Sequence, residues 1–172
     1  MAKADGVAVT VTGAEPLSLE AGLLAIPVFD DALSGRLAPP LAALDEALGG
    51  HLVAAARAEK FEGKAGEQLL LTTVGRARAA RVLLVGLGSK AKAAGWLAAG
   101  AEPLRAAAGK AARQAKGGAL VVALPGVSEL LGADAALLAR AAVEGVLLGA
   151  YRFARYKKEA RKAAGPSELV VA

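Results

Sequence analysis

The sequence predicts an α/β domain of three layers, a mixed β-sheet flanked by helices, and three observations carry that expectation. Stretches with a period of two or a continuous apolar run alternate along the chain with stretches of helical spacing. Two of the strand-like runs, Arg81-Val82-Leu83-Leu84-Val85 and Ala119-Leu120-Val121-Val122-Ala123-Leu124, are too apolar for either face to meet water. The apolar fraction of 55% is largely alanine and aromatics are only 3%, so burial must come from many small side chains on closely packed helices. A chain of 172 residues can form one domain with a core that needs no staples.

Each element has its own signal. Val7, Val9 and Val11 alternate with Ala8, Thr10 and Thr12, which predicts a strand near an edge, with one buried and one more polar face. Leu23-Leu24-Ala25-Ile26-Pro27-Val28-Phe29 reads as a second strand, and Pro27, which cannot donate to a ladder, argues against a central position. After Pro39-Pro40, Leu41, Leu44, Leu48 and Leu52 recur at helical spacing, with an interruption or end near Gly49-Gly50. Leu69 to Val74 and Arg81 to Val85, joined by a turn bearing Gly and Arg, predict a hairpin. From Leu104 to Lys116 the residues Leu104, Ala107, Ala108, Ala111, Ala112 and Ala115 share one helical face, and Arg105, Lys110, Arg113 and Lys116 the other. Gly117-Gly118 closes that helix. A buried strand runs from Ala119 to Leu124 and stops at Pro125-Gly126; Asp134 then caps a last helix to about Tyr151, apolar on most sides and so expected to be covered. Beyond Tyr151 the periodicity weakens, and residues 157–172 read as a connector following a domain of residues 1–156.

Composition excludes several classes. Cysteine is absent, which removes disulfides and thiolate metal sites and favours a reducing, cytoplasmic setting. The N-terminus has no apolar segment of the signal-peptide kind, and the longest uncharged stretch, Gly117 to Ser128, is too short to cross a bilayer as a helix. The net charge of +5 belongs mainly to the tail: from Tyr151 onward the chain carries Arg152, Arg155, Lys157, Lys158, Arg161 and Lys162 against Glu159 and Glu168.

Groups that could carry chemistry are few. There is one histidine, His51, with five serines and no asparagine, and no serine stands in a Gly-x-Ser-x-Gly turn. His51 beside Gly50 fits a helix end, and a single histidine with scattered carboxylates offers no metal cluster. Asp30-Asp31 and Asp45-Glu46 fit helix starts and solvated positions better than a shared ion site. Gly86-Leu87-Gly88-Ser89-Lys90-Ala91 follows a strand and matches the short dinucleotide pattern, so a nucleotide or ADP-ribose binder is one alternative. Against it, Glu102 lies near a helix start rather than at the end of a second strand, and a strand-ending turn explains the glycines equally well. A nucleic-acid module is another alternative, resting on Arg105, Lys110, Arg113 and Lys116 and on Tyr151-Arg152-Phe153-Ala154-Arg155-Tyr156; a solvated helix face is the preferred explanation of the first set.

Four segments, in order, resemble the N-terminal domain of the leucine aminopeptidase (cytosol aminopeptidase) family. They are Phe61-Glu62-Gly63-Lys64-Ala65-Gly66-Glu67 with the strand at Leu69; Arg81 to Gly88; the alanine-rich helix carrying Arg105 to Lys116; and Val143 to Lys157, the most specific of them. The chain departs from the family pattern at Ala154, where an Asp is usual. The resemblance implies a macro-domain-like α/β fold and a turn role for Gly86 and Gly88. It further implies a separate C-terminal catalytic domain, reached through residues 157–172, that holds two divalent metals (zinc or manganese) on Asp, Glu and Lys ligands. Enzymes of that family release N-terminal residues from peptides with a metal-activated water and assemble as homo-hexamers. Their Asn-Thr-Asp-Ala-Glu-Gly-Arg segment is absent here, so no catalytic, cofactor-binding or metal-binding residue transfers to this chain. The expectation is a domain without a reaction centre of its own, whose partner is the catalytic domain of the same protein.

Overall fold

The alternation of apolar runs with helical segments becomes an alternation of strands and helices in space. The computed structural model describes residues 2–4, 7–93, 95, 101–124, 134–151 and 165–172. Along the chain these form β1 (Ala2–Ala4), β2 (Val7–Val11), β3 (Leu23–Phe29), α1 (Pro39–Ala47), α2 (His51–Ala58), β4 (Gln68–Thr72), β5 (Arg81–Gly88), α3 (Glu102–Gln114), β6 (Ala119–Val122), α4 (Ala135–Ala150) and β7 (Glu168–Val171). The described strands order as β1-β2-β7-β6-β3-β5-β4. Neighbours from β2 to β5 run parallel, and the two outermost pairs, β1 with β2 and β4 with β5, are antiparallel. The sheet is therefore mixed, as expected.

Two-residue periodicity divides the interior strands between two cores. Leu23, Ala25 and Phe29 of β3 and Leu83, Val85 and Leu87 of β5 face α3 and α4, with Leu104, Ala108, Leu138 and Val146 above them. Leu24, Ile26 and Val28, with Val82 and Leu84, face the other way, onto Leu41, Leu44, Leu48 and Leu52 of the α1–α2 layer. The predicted interruption near Gly49-Gly50 is the joint between α1 and α2, where both glycines take a left-handed φ (66° and 80°) that a residue with a Cβ adopts only at a cost. Asp134 caps α4 as expected, its Oδ1 accepting the Ala136 amide at 2.9 Å.

Three expectations change. β3 is interior, lying between β6 and β5, although it contains Pro27. The β3–β6 ladder ends at Ala25↔Val122, followed by the Ala123 amide donating to the Ala25 carbonyl at 2.9 Å. Alternation turns the Pro27 nitrogen to that same side, past the last paired position, so the missing N–H costs no ladder bond. The connector expected over 157–172 is also shortened, because Glu168–Val171 is an interior strand. Leu169 pairs with Val9 on one side and with Leu120 on the other and is fully buried. That strand belongs to the domain; residues 157–164 lie outside the described residues. Finally, the cover expected around α4 is one-sided. Leu138, Ala142 and Val146 are buried while Leu148 is 69% exposed, so the helix is apolar partly because alanine on a wet face costs little.

Candidate functional site

In sheets of this kind the carboxyl ends of the parallel strands are where ligands are usually held. At the end of β5 that place is filled by the chain itself. Residues 61–67 fold over the strand end: the Gly86 amide donates to the Glu67 carbonyl at 2.9 Å, the Gly66 amide to the Gly86 carbonyl at 2.8 Å, and the Gly88 amide to the Gly63 carbonyl at 3.0 Å. The approach is close enough to require glycine. A Cβ on Gly86 would stand 2.0 Å from the Lys64 carbonyl oxygen, and Gly88 has φ +81°. The Glu67 carboxylate holds the loop in shape by accepting the Glu62 amide at 2.9 Å and the Lys64 amide at 3.1 Å. Lys110 of α3 latches it from above, its Nζ donating to the Gly66 carbonyl at 2.7 Å.

This arrangement decides between the two explanations of Gly-x-Gly. A dinucleotide turn must leave its amides free to meet a pyrophosphate. Here the amides of Gly86 and Gly88 already donate to Glu67 and Gly63, so the glycines belong to the last residues of β5 and let the 61–67 loop approach it closely. Glu102, the acidic residue considered for a ribose, pairs with Arg105 instead.

The basic face of α3 is likewise partly spent. Arg105 donates through Nε to Glu144 at 2.9 Å and also pairs with Glu102. Glu144 accepts from Arg140 as well, at 2.7 Å, so one carboxylate of α4 ties together arginines of both helices. Hydrogen bonds from Arg140 and then Arg105 hold the Glu144 carboxyl below its ordinary range, and the bonds to Glu102 and Glu144 hold the Arg105 guanidinium above its own. Of the four cations proposed to meet phosphates, Arg105 and Lys110 have internal work, and the solvated explanation was incomplete for them. Arg113 and Lys116 are exposed. Tyr151 is 70% exposed, and the rest of the aromatic and arginine run, residues 152–156, lies outside the described residues.

The remaining candidates are dispersed. His51 is exposed at the first position of α2. Asp45 of α1 accepts the Val53 amide at 3.1 Å, which makes it a cap for the orphan amides opening α2 across the glycine joint. Asp30 and Asp31 are exposed beyond β3, where the Asp31 carbonyl accepts the Ser34 hydroxyl. Among the described residues no three His, Cys, Asp or Glu side chains come together as metal ligands would. A mostly apolar cavity of about 230 Å³ lies beside Ile26, Pro27, Val28, Leu17 and Leu41. It is smaller than the roughly 300–1,000 Å³ usual for small-molecule sites, and the charged side chains that also line it, Glu15, Asp31 and Arg36, belong to exposed residues.

Sequence reading missed Glu67 and Lys110, the two residues that fasten the strand-end loop. Their signal was present in part: Glu67 follows Gly63 and Gly66 in a short polar segment, a composition that suits a turn closed by a carboxylate. Lys110 carried no local signal, since its partner is 44 residues away.

Fold and site together define a three-layer α/β domain in which the end of β5 is closed by the chain's own loop. A macrodomain variant from Oceanobacillus iheyensis superposes with a TM-score of 0.55 over 95% of this chain and 82% of its own, at 13% identity, which is a likeness of fold. Residues 25–160 match the model of the cytosol aminopeptidase family, N-terminal domain, and the chain belongs to that family. The "Probable cytosol aminopeptidase" of Streptomyces coelicolor is 38% identical over 163 residues, 92% of this chain. A tomato leucine aminopeptidase variant superposes with a TM-score of 0.76 at 27% identity over 96% of this chain. The chain spans only 30% of the length of the first and 32% of the second. Among the described residues no helix is long and apolar enough to cross a membrane.

Proposed function

We propose that this chain is the non-catalytic N-terminal domain of a cytoplasmic two-metal aminopeptidase, and that the catalytic portion, with its divalent ions and its hexameric assembly, is supplied by the remainder of such a protein. The observation that carries the reading is the match to an N-terminal domain in relatives named aminopeptidases, at 30% of the length of the Streptomyces coelicolor protein. The chemistry of the described residues supports it. Two-metal hydrolysis requires several carboxylates converging on ions about 3.5 to 4 Å apart, so that a bridging water becomes a nucleophile. The carboxylates that are held in place here hold structure: Glu67 closes a loop, Asp45 and Asp134 cap helices, and Glu144 joins α3 to α4.

The test is an aminoacyl-substrate assay with zinc or manganese, run on this chain and on a polypeptide continuing past Ala172. Turnover confined to the longer polypeptide is the expected result. Metal-dependent turnover by the 172-residue chain, abolished by substituting one of its own residues, would overturn the reading.

A further inference from the structure

The two edges of the sheet are built differently. β1 is only three residues long, and a very short edge strand is one means by which natural sheets discourage further pairing. β4 closes the other edge with Gln68-Leu69-Leu70-Leu71-Thr72, and residues 68–74 contain no charge, proline or glycine. Gly86 donates to the Glu67 carbonyl at 2.9 Å and Thr73 to the Ala80 carbonyl at 3.1 Å, so odd-numbered residues direct their backbone groups to β5. Gln68, Leu70 and Thr72 therefore turn N–H and C=O outward. Among the described strands β4 ends the sheet, and a groove of about 620 Å³, walled by His51, Ala55 and Ala58 of α2, runs beside it. On the other face of the strand Leu70 is 42% exposed.

We propose that β4 pairs antiparallel with β4 of a second copy of this chain, across a two-fold axis at Leu70. The strand has the same character read in either direction: polar, three leucines, polar. An antiparallel pair centred on Leu70 sets Leu70 against its own copy, Leu69 against Leu71 and Gln68 against Thr72. Like meets like at every position and no charges are opposed, which is the self-complementarity an isologous interface requires. The Leu70 pair exchanges two N–H···O bonds and each Gln68–Thr72 pair two more, because these are the residues whose backbone groups face outward. Two sheets become one, and each Leu70 covers the other. An interface one strand wide falls short of the roughly 1,000 Å² of a stable complex, so the dimer is weak and concentration-dependent. This pairing does not rest on the aminopeptidase reading.

The chain has no cysteine, so a single introduced thiol can form only intermolecular disulfides. In the proposed pair the two Leu70 Cα atoms lie about 5.5 Å apart, within disulfide range. Mild oxidation should couple Leu70→Cys quickly into a covalent dimer, and Val11→Cys, exposed at the end of β2, much more slowly. Sedimentation of the unaltered chain should show mass rising toward a dimer with concentration. Leu70→Lys, which sets like charges opposite each other, should weaken association at least about tenfold while leaving the thermal midpoint near its original value. A chain that stays monomeric at millimolar concentration would overturn the proposal, as would a dimer indifferent to Leu70→Lys. It would equally be overturned if the amides of residues 68, 70 and 72 gained exchange protection only in a polypeptide continuing past Ala172, which would assign the edge to another part of that protein.

Discussion

The two helical layers bury the same sheet by different means. The α1–α2 layer uses leucines, with Leu41, Leu44, Leu48 and Leu52 projecting into the core. The α3–α4 layer uses small residues: Ala107, Ala108, Ala111 and Ala112 on one helix and Ala141 and Ala142 on the other, with Gly109 and Gly145 where the helices cross. Contact there is backbone to backbone. A Cβ on Gly145 would stand 2.1 Å from the Arg105 carbonyl oxygen, and one on Gly149 would stand 2.3 Å from that of Gly109. A leucine layer is held by volume and tolerates small shifts of its helices. A glycine crossing is held by closeness and leaves its helices no room to move apart without losing the fit of the whole layer.

The largest effect should come from breaking the crossing. Gly145→Val places two methyls where backbone already stands, and no flexible side chain can yield. A loss of roughly 5 kcal/mol is expected, at the top of the range for one substitution, seen as collapse of the cooperative thermal transition. Leu52→Ala in the other layer removes volume instead and should cost about 3 kcal/mol with the transition still cooperative. Denaturant melts of the two variants compare the layers directly, and equal losses would mean that the distinction is wrong.

A smaller effect tests the joint within the leucine layer. Asp45→Ala leaves the Val53 amide without its cap and should cost about 1 kcal/mol, read as a lower urea midpoint with an unchanged slope. The smallest concerns the ion network beside the glycine crossing. Glu144 titrates below its ordinary range because Arg140 and Arg105 favour its charged form. A carboxyl depressed on folding adds stability above its unfolded pKa, and that contribution is lost as pH falls through the folded value. The thermal midpoint of the chain should therefore exceed that of Glu144→Gln at neutral pH, with the gap closing on acidification below the ordinary carboxylate range. A gap that widened toward acid would contradict the network.

Most elements were legible because their signals are local. The period of two at Val7, Val9 and Val11, the leucine spacing broken at Gly49-Gly50, and the alanine face from Ala107 to Ala115 are each read over a short stretch of chain and survive in the structure. Leu169-Val170-Val171 was also an apolar run, but three residues following a charged stretch carry no information about which strands they will join. The Gly-x-Gly turn was ambiguous for a related reason: glycine marks a close approach without saying what approaches, and the Phe61–Glu67 segment that does so is some twenty residues earlier in the chain.

By itself the sequence determined the class of fold, the succession of strands and helices, the lack of thiol chemistry and the membership in a family, all of which follow from periodicity, composition and ordered segments. Tertiary structure alone decided the placement of β7 between β2 and β6, the harmlessness of Pro27 inside the sheet, the closure of the β5 end by Glu67 and Lys110, and the contrast between a guarded and an open sheet edge. The physical reason is the range of the interactions. Backbone periodicity acts over a few residues, whereas strand order, ladder ends and latches are set by which distant surfaces bury each other, and those pairings exist only once the chain has folded.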